Sequence, residues 1–147
     1  MNAVDEFTKQ FTTEKVPGVI QIKRDFFQVS DSLLEVKKSI KKEPFAIGLF
    51  LGSGRPLSPS IALIDWIGER TERYVVLDKK TSWLFLCDRD IFPDSIIKKG
   101  ADDGLVIVKS NLNEVLGYGR YQNDRKIPIK NMLDKGDFIR REKHWWN

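Results

Sequence analysis

Residues 103–121, DGLVIVKSNLNEVLGYGRY, hold the two β-type runs on which the fold turns, residues 105–108 (LVIV) and 115–121 (VLGYGRY). Each is strand length, rich in branched and aromatic side chains, and separated from its neighbours by glycine or charged residues. Working outward, residues 74–77 (YVVL), 83–86 (WLFL) and 127–129 (IPI) repeat the pattern. Asp102-Asp103-Gly104 and Lys135-Gly136-Asp137 supply turns, and residues 90–97 a single helical turn. Short strands at this spacing predict a small β-barrel.

Before Arg73 the texture differs, and the pattern predicts a boundary there. Val4, Phe7 and Phe11 fall at helical spacing, and Pro17-Gly18 ends that helix. Residues 19–22 and 26–29 read as a hairpin across Lys23-Arg24-Asp25. Ser30 is the expected cap of a second helix, with Leu33, Val36 and Ile40 as its apolar stripe. Lys37, Lys38, Lys41 and Lys42 complement the dipole at its C-terminal end. Residues 45–51 (FAIGLFL) lack alternation, which predicts a strand buried on both faces. After the Gly52-Ser53-Gly54-Arg55-Pro56 loop, Ser58 is the expected cap and Pro59 the first residue of a helix lasting to about Arg70. The order helix, hairpin, helix, strand, helix predicts a small α/β layer.

Composition narrows the chemistry. The 147 residues include one cysteine and one histidine, Cys87 and His144. That excludes a disulfide framework and a His-rich metal centre, so neither a resident metal nor a cofactor is expected, and catalysis is not. The strand-end position of Cys87 predicts a small buried side chain. No apolar run reaches the ~18 residues of a membrane span. The acidic residues in MNAVDEFTKQ contradict a secretory leader, so a soluble intracellular protein is expected. Net charge is +4, from 25 basic and 21 acidic side chains. Residues 74–147 carry 14 Lys/Arg against 11 Asp/Glu, and residues 1–73 carry 11 against 10. The excess therefore sits on the second segment, and it permits an anionic partner.

An ordered set of motifs in that segment resembles a PUA domain, the pseudobarrel found on RNA-modifying enzymes and ribosome-assembly proteins. The set is Trp83-Leu84-Phe85-Leu86-Cys87-Asp88, Ile91-Phe92-Pro93-Asp94-Ser95-Ile96, Asp103-Gly104-Leu105-Val106-Ile107-Val108, Val115-Leu116-Gly117-Tyr118-Gly119-Arg120, and the closing Asn131 to Asp137 segment with its Gly136-Asp137. Preceded by a short α/β domain whose strand ends Gly48-Leu49-Phe50-Leu51-Gly52, and closed by Asp137-Phe138-Ile139-Arg140-Arg141-Glu142, the chain is similar to the Nip7 family, archaeal type. The resemblance implies an α+β fold of two small domains, an N-terminal α/β domain over residues 1–73 and a PUA β-pseudobarrel over residues 74–147. It also implies a non-catalytic, cytoplasmic (nucleolar if eukaryotic) ribosome biogenesis factor, monomeric, that binds single-stranded or pre-ribosomal RNA and docks ribosome-assembly proteins. Two alternatives stay open: a protein-interaction module without direct RNA contact, and a nucleotide-binding enzyme domain.

The candidate RNA contacts are Arg140, Arg141 and Lys143 in the tail, Lys98 and Lys99 beside the helical turn, and Arg120. Trp145 and Trp146 are candidates for stacking an unpaired base. Asp94 stands where many PUA domains place a glycine, and a carboxylate there repels phosphate, which moves weight to the C-terminal edge. Gly52-Ser53-Gly54-Arg55 fails as a phosphate loop, because Pro56 and Leu57 stand where the lysine and hydroxyl belong. Asp88/Asp90 and Asp102/Asp103 read as turn residues rather than catalytic pairs.

Overall fold

The structure, a computed structural model, describes residues 1–42, 44 and 46–137. The chain divides into two compact units, Met1–Trp66 and Ile67–Asn147.

In the first unit, helix α1 (Ala3–Thr8) is capped by Asn2, whose side chain accepts from the Asp5 amide. It buries Val4 and Phe7, and the Phe7 and Phe11 rings meet at 5.4 Å. Strands β1 (Val19–Ile22) and β2 (Asp25–Gln28) form the expected hairpin, extended by β3 (Leu49–Ser53) and β4 (Ser58–Pro59) into an antiparallel sheet of order β1-β2-β3-β4. Helix α2 (Asp31–Ser39) is capped by Ser30, as its sequence requires. Its apolar stripe is not buried, however: Val36 and Ile40 lie about half exposed, and Leu33 with Leu34 packs against Ile22, Phe27 and Val29.

Two further expectations fail in this unit. Of the run at residues 45–51, only Leu49 onward is strand, and Leu49 and Phe50 are exposed while Leu51 is buried. Continuity of the apolar run therefore did not mean burial on both faces: Leu49 and Phe50, which alternate across the strand, both stay exposed. Phe45 lies outside the described residues. Ser58 and Pro59 belong to β4, and helix α3 (Ile61–Gly68) begins later, with the Ser60 hydroxyl accepting from the Leu63 amide. Pairing of Ser58 with Ser53 and Pro59 with Gly52 claims those residues before a helix can start. Leu63, Ile64 and Ile67 are fully buried on α3.

The second unit is built on a five-stranded mixed sheet of order β6-β5-β7-β8-β9, comprising β5 (Tyr74–Leu77), β6 (Ile96–Lys99), β7 (Gly104–Ser110), β8 (Val115–Tyr121) and β9 (Lys130–Asp134). Only β5 and β7 run parallel, and helix α4 (Lys79–Leu86), a 3-10 turn (Pro93–Ser95) and β6 fill the crossover between them. The core gathers Val75, Leu77, Phe85, Ile91, Val106, Val108, Leu116, Tyr121 and Ile129.

Here the run WLFL proves helical, not a strand. Asp78 caps α4 by accepting from the Thr81 amide at 2.7 Å, and the helix buries Phe85 while leaving Trp83 67% exposed. Four apolar residues fit either period, and the cap residue upstream settles the matter. Cys87 consequently ends a helix and is exposed, contrary to the buried strand-end thiol expected. Lys98 and Lys99, which follow the helical turn, belong to strand β6, and Gly100 lies just past its end. Residues 127–129 contribute a single bridge, Ile129 to Ile91, because Pro128 has no amide to donate.

Candidate nucleic-acid interface

Alternation along β5 sends Val75 and Leu77 into the core and turns Tyr74 and Val76 to the opposite face. Lys98 stands opposite Val76 on antiparallel β6, and Lys109 stands beside Val76 on parallel β7. Residues in register share a face, so Lys98, Val76 and Lys109 form one row across three strands. Tyr74 lies one repeat along β5, and both ammonium groups reach its ring, Lys98 at 5.8 Å and Lys109 at 4.7 Å from the centroid. Such contacts offset part of the cost of drawing a cation out of water. Gly100, whose amide donates to the Tyr74 carbonyl at 2.7 Å, is fixed by the backbone beside it: a Cβ there would collide with the Glu72 carbonyl.

The charges around this row are already matched. Arg73 pairs with Asp103 at 3.0 Å and donates through Nε to the Leu105 carbonyl, and Lys99 pairs with Asp102 at 3.8 Å. Among the described residues, Lys98 and Lys109 have no carboxylate partner. Lys109 is only 8% exposed.

Arg120 is exposed on β8, opposite Leu105 on β7 and Lys130 on β9. Two like charges thus face each other across a strand pair, an arrangement that opposes stability. Beside them the Tyr118 phenol is pushed up by burial and drawn partly back by Arg120. Leu105 and Lys109 are four residues apart on β7, about 13 Å, so the fold keeps Arg120 away from Lys98 and Lys109. Lys99 shares β6 with Lys98 but alternation turns it to the other face. Arg140, Arg141, Lys143, Trp145 and Trp146 lie outside the described residues.

The carboxylate expected to repel phosphate is neutralised, since Asp94 pairs with Arg125 at 3.1 Å. The acidic pairs have structural work: Asp90 accepts from the Asn131 amide at 2.8 Å, and Asp102 and Asp103 hold Lys99 and Arg73. Among the described residues no cluster of His, Cys, Asp and Glu suits a metal ion, and no helix is long and apolar enough to cross a membrane. Arg55 of the glycine loop is bound to Glu6, whose carboxyl it holds below the usual range.

Tyr74, Lys109 and Lys130 were absent from the sequence reading. Period-two alternation in YVVL marks Tyr74 as facing away from Val75, but nothing local says that β5 pairs in parallel with β7 and so brings Lys109 to it.

Residues 73–143 match the family model described as the UPF0113 PUA domain. A UPF0113 protein of Archaeoglobus fulgidus is 26% identical over 112 residues, covering 68% of this chain and 64% of the relative. The chain therefore spans under two thirds of that relative's length. A solved structure of a conserved PUA domain protein from Thermoplasma acidophilum superposes with a TM-score of 0.57 at 17% identity, over 95% of this chain and 91% of that one. The fold is α+β and carries a PUA domain.

Proposed function

We propose that this protein is a non-catalytic RNA-binding factor of ribosome biogenesis, related to the Nip7 family, that holds precursor ribosomal RNA along the basic edge of its PUA domain. The PUA match over residues 73–143 carries the reading, because PUA domains are in general RNA-binding. Cations that have no carboxylate partner among the described residues support it: Lys98 and Lys109 around Tyr74, and Arg120 and Lys130 on β8 and β9. Arg140, Arg141 and Lys143 are the tail cations assigned to phosphate, and Trp145 and Trp146 the rings assigned to bases. The mechanism is occupancy: binding shields or shapes a transient RNA segment in the cytoplasm, while the N-terminal unit docks assembly proteins.

The test is a titration of labelled single-stranded RNA at two salt concentrations. Wild type is expected to bind with a log–log salt slope of about −2 to −3, the signature of three or four phosphate contacts. Replacing Arg140 and Arg141 with Ala should weaken binding and flatten the slope, and an unchanged slope removes the tail from the interface.

A second reading has its own observation. Trp83 is 67% and Leu112 76% exposed, beside an open cleft of about 300 Å³ that Lys79, Leu86, Asn111 and Glu114 help to line. Exposed apolar surface of this kind favours a protein-docking face on the second unit. If wild type binds no RNA while retaining assembly proteins in a pull-down that Trp83→Ala abolishes, the interaction-module reading replaces the first.

A further inference from the structure

We infer that Tyr74, Lys98 and Lys109 form a phosphate-binding notch on the sheet, a contact point for the RNA backbone separate from the tail; the inference rests on the RNA-binding reading above. Three observations carry it.

The first is convergence. Two ammonium groups from different strands approach one aromatic ring, at 5.8 and 4.7 Å from its centroid. A folded protein commonly gives such a cation a carboxylate of its own, as it does for Arg73 with Asp103 and Lys99 with Asp102. None serves Lys98 or Lys109 among the described residues. An anion from outside is the missing partner.

The second is burial. Lys109 is 92% withdrawn from solvent, whereas a lysine that serves only to keep a surface soluble stays in water. Its stem is fixed by the β7 ladder and its head by the Tyr74 ring, so little side-chain freedom remains to be lost when an anion binds.

The third is chemistry. Ammonium groups act as point charges without the planar fork that selects carboxylates, which suits a phosphodiester oxygen approached from varied directions. The phenol of Tyr74 adds a hydroxyl donor and an aromatic body to the same spot. The notch therefore takes one phosphate and reads no sequence.

The experiment compares wild type with Lys98→Gln, Lys109→Met, the double variant and Lys99→Gln, as full-length chains, using one labelled single-stranded RNA between about 50 and 200 mM salt. Lys98 is exposed, so Lys98→Gln leaves the fold intact, and Lys109→Met preserves the length and packing of the buried stem. The double variant is expected to bind more weakly, with a slope shallower by about 0.7, the share of one phosphate on a single strand. Lys99→Gln, whose ammonium is already held by Asp102, should leave the slope unchanged. If wild type binds RNA and the double variant keeps its slope, the notch is overturned while the RNA reading stands. If Lys99→Gln flattens the slope as much as Lys98→Gln, a diffuse basic edge replaces the notch. Inorganic phosphate titrated without RNA forms the last arm: saturable binding that Lys109→Met abolishes, without any competition against RNA, would assign the notch to a free anion instead. Absence of RNA binding by wild type overturns the parent reading and this one with it.

Discussion

Asn131 shows how one side chain can turn a recognisable motif into architecture. Its amide group donates to the Phe85 carbonyl at 2.9 Å and to Asp134 Oδ2 at 3.0 Å, while its backbone amide donates to Asp90. The Phe85 carbonyl, in the last turn of α4, also accepts from the Asp88 amide at 3.1 Å. Asp134, 2% exposed, in turn accepts from the Asp137 amide at 3.0 Å. Gly136 completes the closure, since a Cβ there would collide with the Leu86 carbonyl. The closing motif is thus a latch between β9 and α4, and its asparagine and glycine are explained without any ligand. Asn131→Ala is expected to destabilise the protein by about 1–3 kcal/mol, the cost of leaving buried acceptors short of donors, as read by urea unfolding. Its RNA affinity at a temperature where it remains folded should match wild type. The motif's residues were legible in the sequence; their role required α4 to lie where the latch could reach it.

Helix α4 carries the lesson at the scale of an element. Its residues Trp83, Leu84, Phe85 and Leu86 resemble a strand, but Phe85 is buried in the core, Leu86 packs against it half-buried, and Trp83 and Leu84 are exposed. Asp78 decides the issue by accepting from the backbone and side chain of Thr81, bonds that hold its carboxyl below the ordinary range. A carboxyl depressed in the folded state contributes stability above the unfolded value of about 3.9 and loses it as pH falls through the folded one. Asp78→Ala should therefore lower the melting temperature at neutral pH, and the gap from wild type should close under acidic conditions where both carboxyls would be protonated. A gap that persists at low pH would show that the cap acts without its charge. Phe85→Ala, by contrast, empties a fully buried site and should cost about 3–5 kcal/mol at any pH.

At the scale of the molecule, the +4 net charge matters through its placement. Edge strand β6 bears Lys98 and Lys99, a pattern that also discourages edge-to-edge pairing with another sheet. Arg120 opposite Lys130 has no such structural use, because like charges on paired strands weaken the sheet. Arg120→Gln is accordingly expected to raise the melting temperature slightly while weakening RNA binding in the fluorescence titration. Movement of both quantities in the same direction would show that the arginine serves the fold rather than the ligand.

From local sequence alone follow the hairpin, the capped second helix, the strands around residues 74–77, 105–108 and 115–121, and the scarcity of cysteine and histidine. Those features depend on local spacing, on cap chemistry and on composition, all of which act over a few residues. Tertiary structure alone decided which apolar runs are buried and which cations share a face. Leu49 and Phe50 are exposed because of how their strand is paired. Lys109 meets Tyr74 because two strands separated by a helix, a turn and an edge strand run parallel in one sheet. Pairing register is a long-range choice, and it brings Tyr74 and Lys109, which no local signal singles out, beside Lys98.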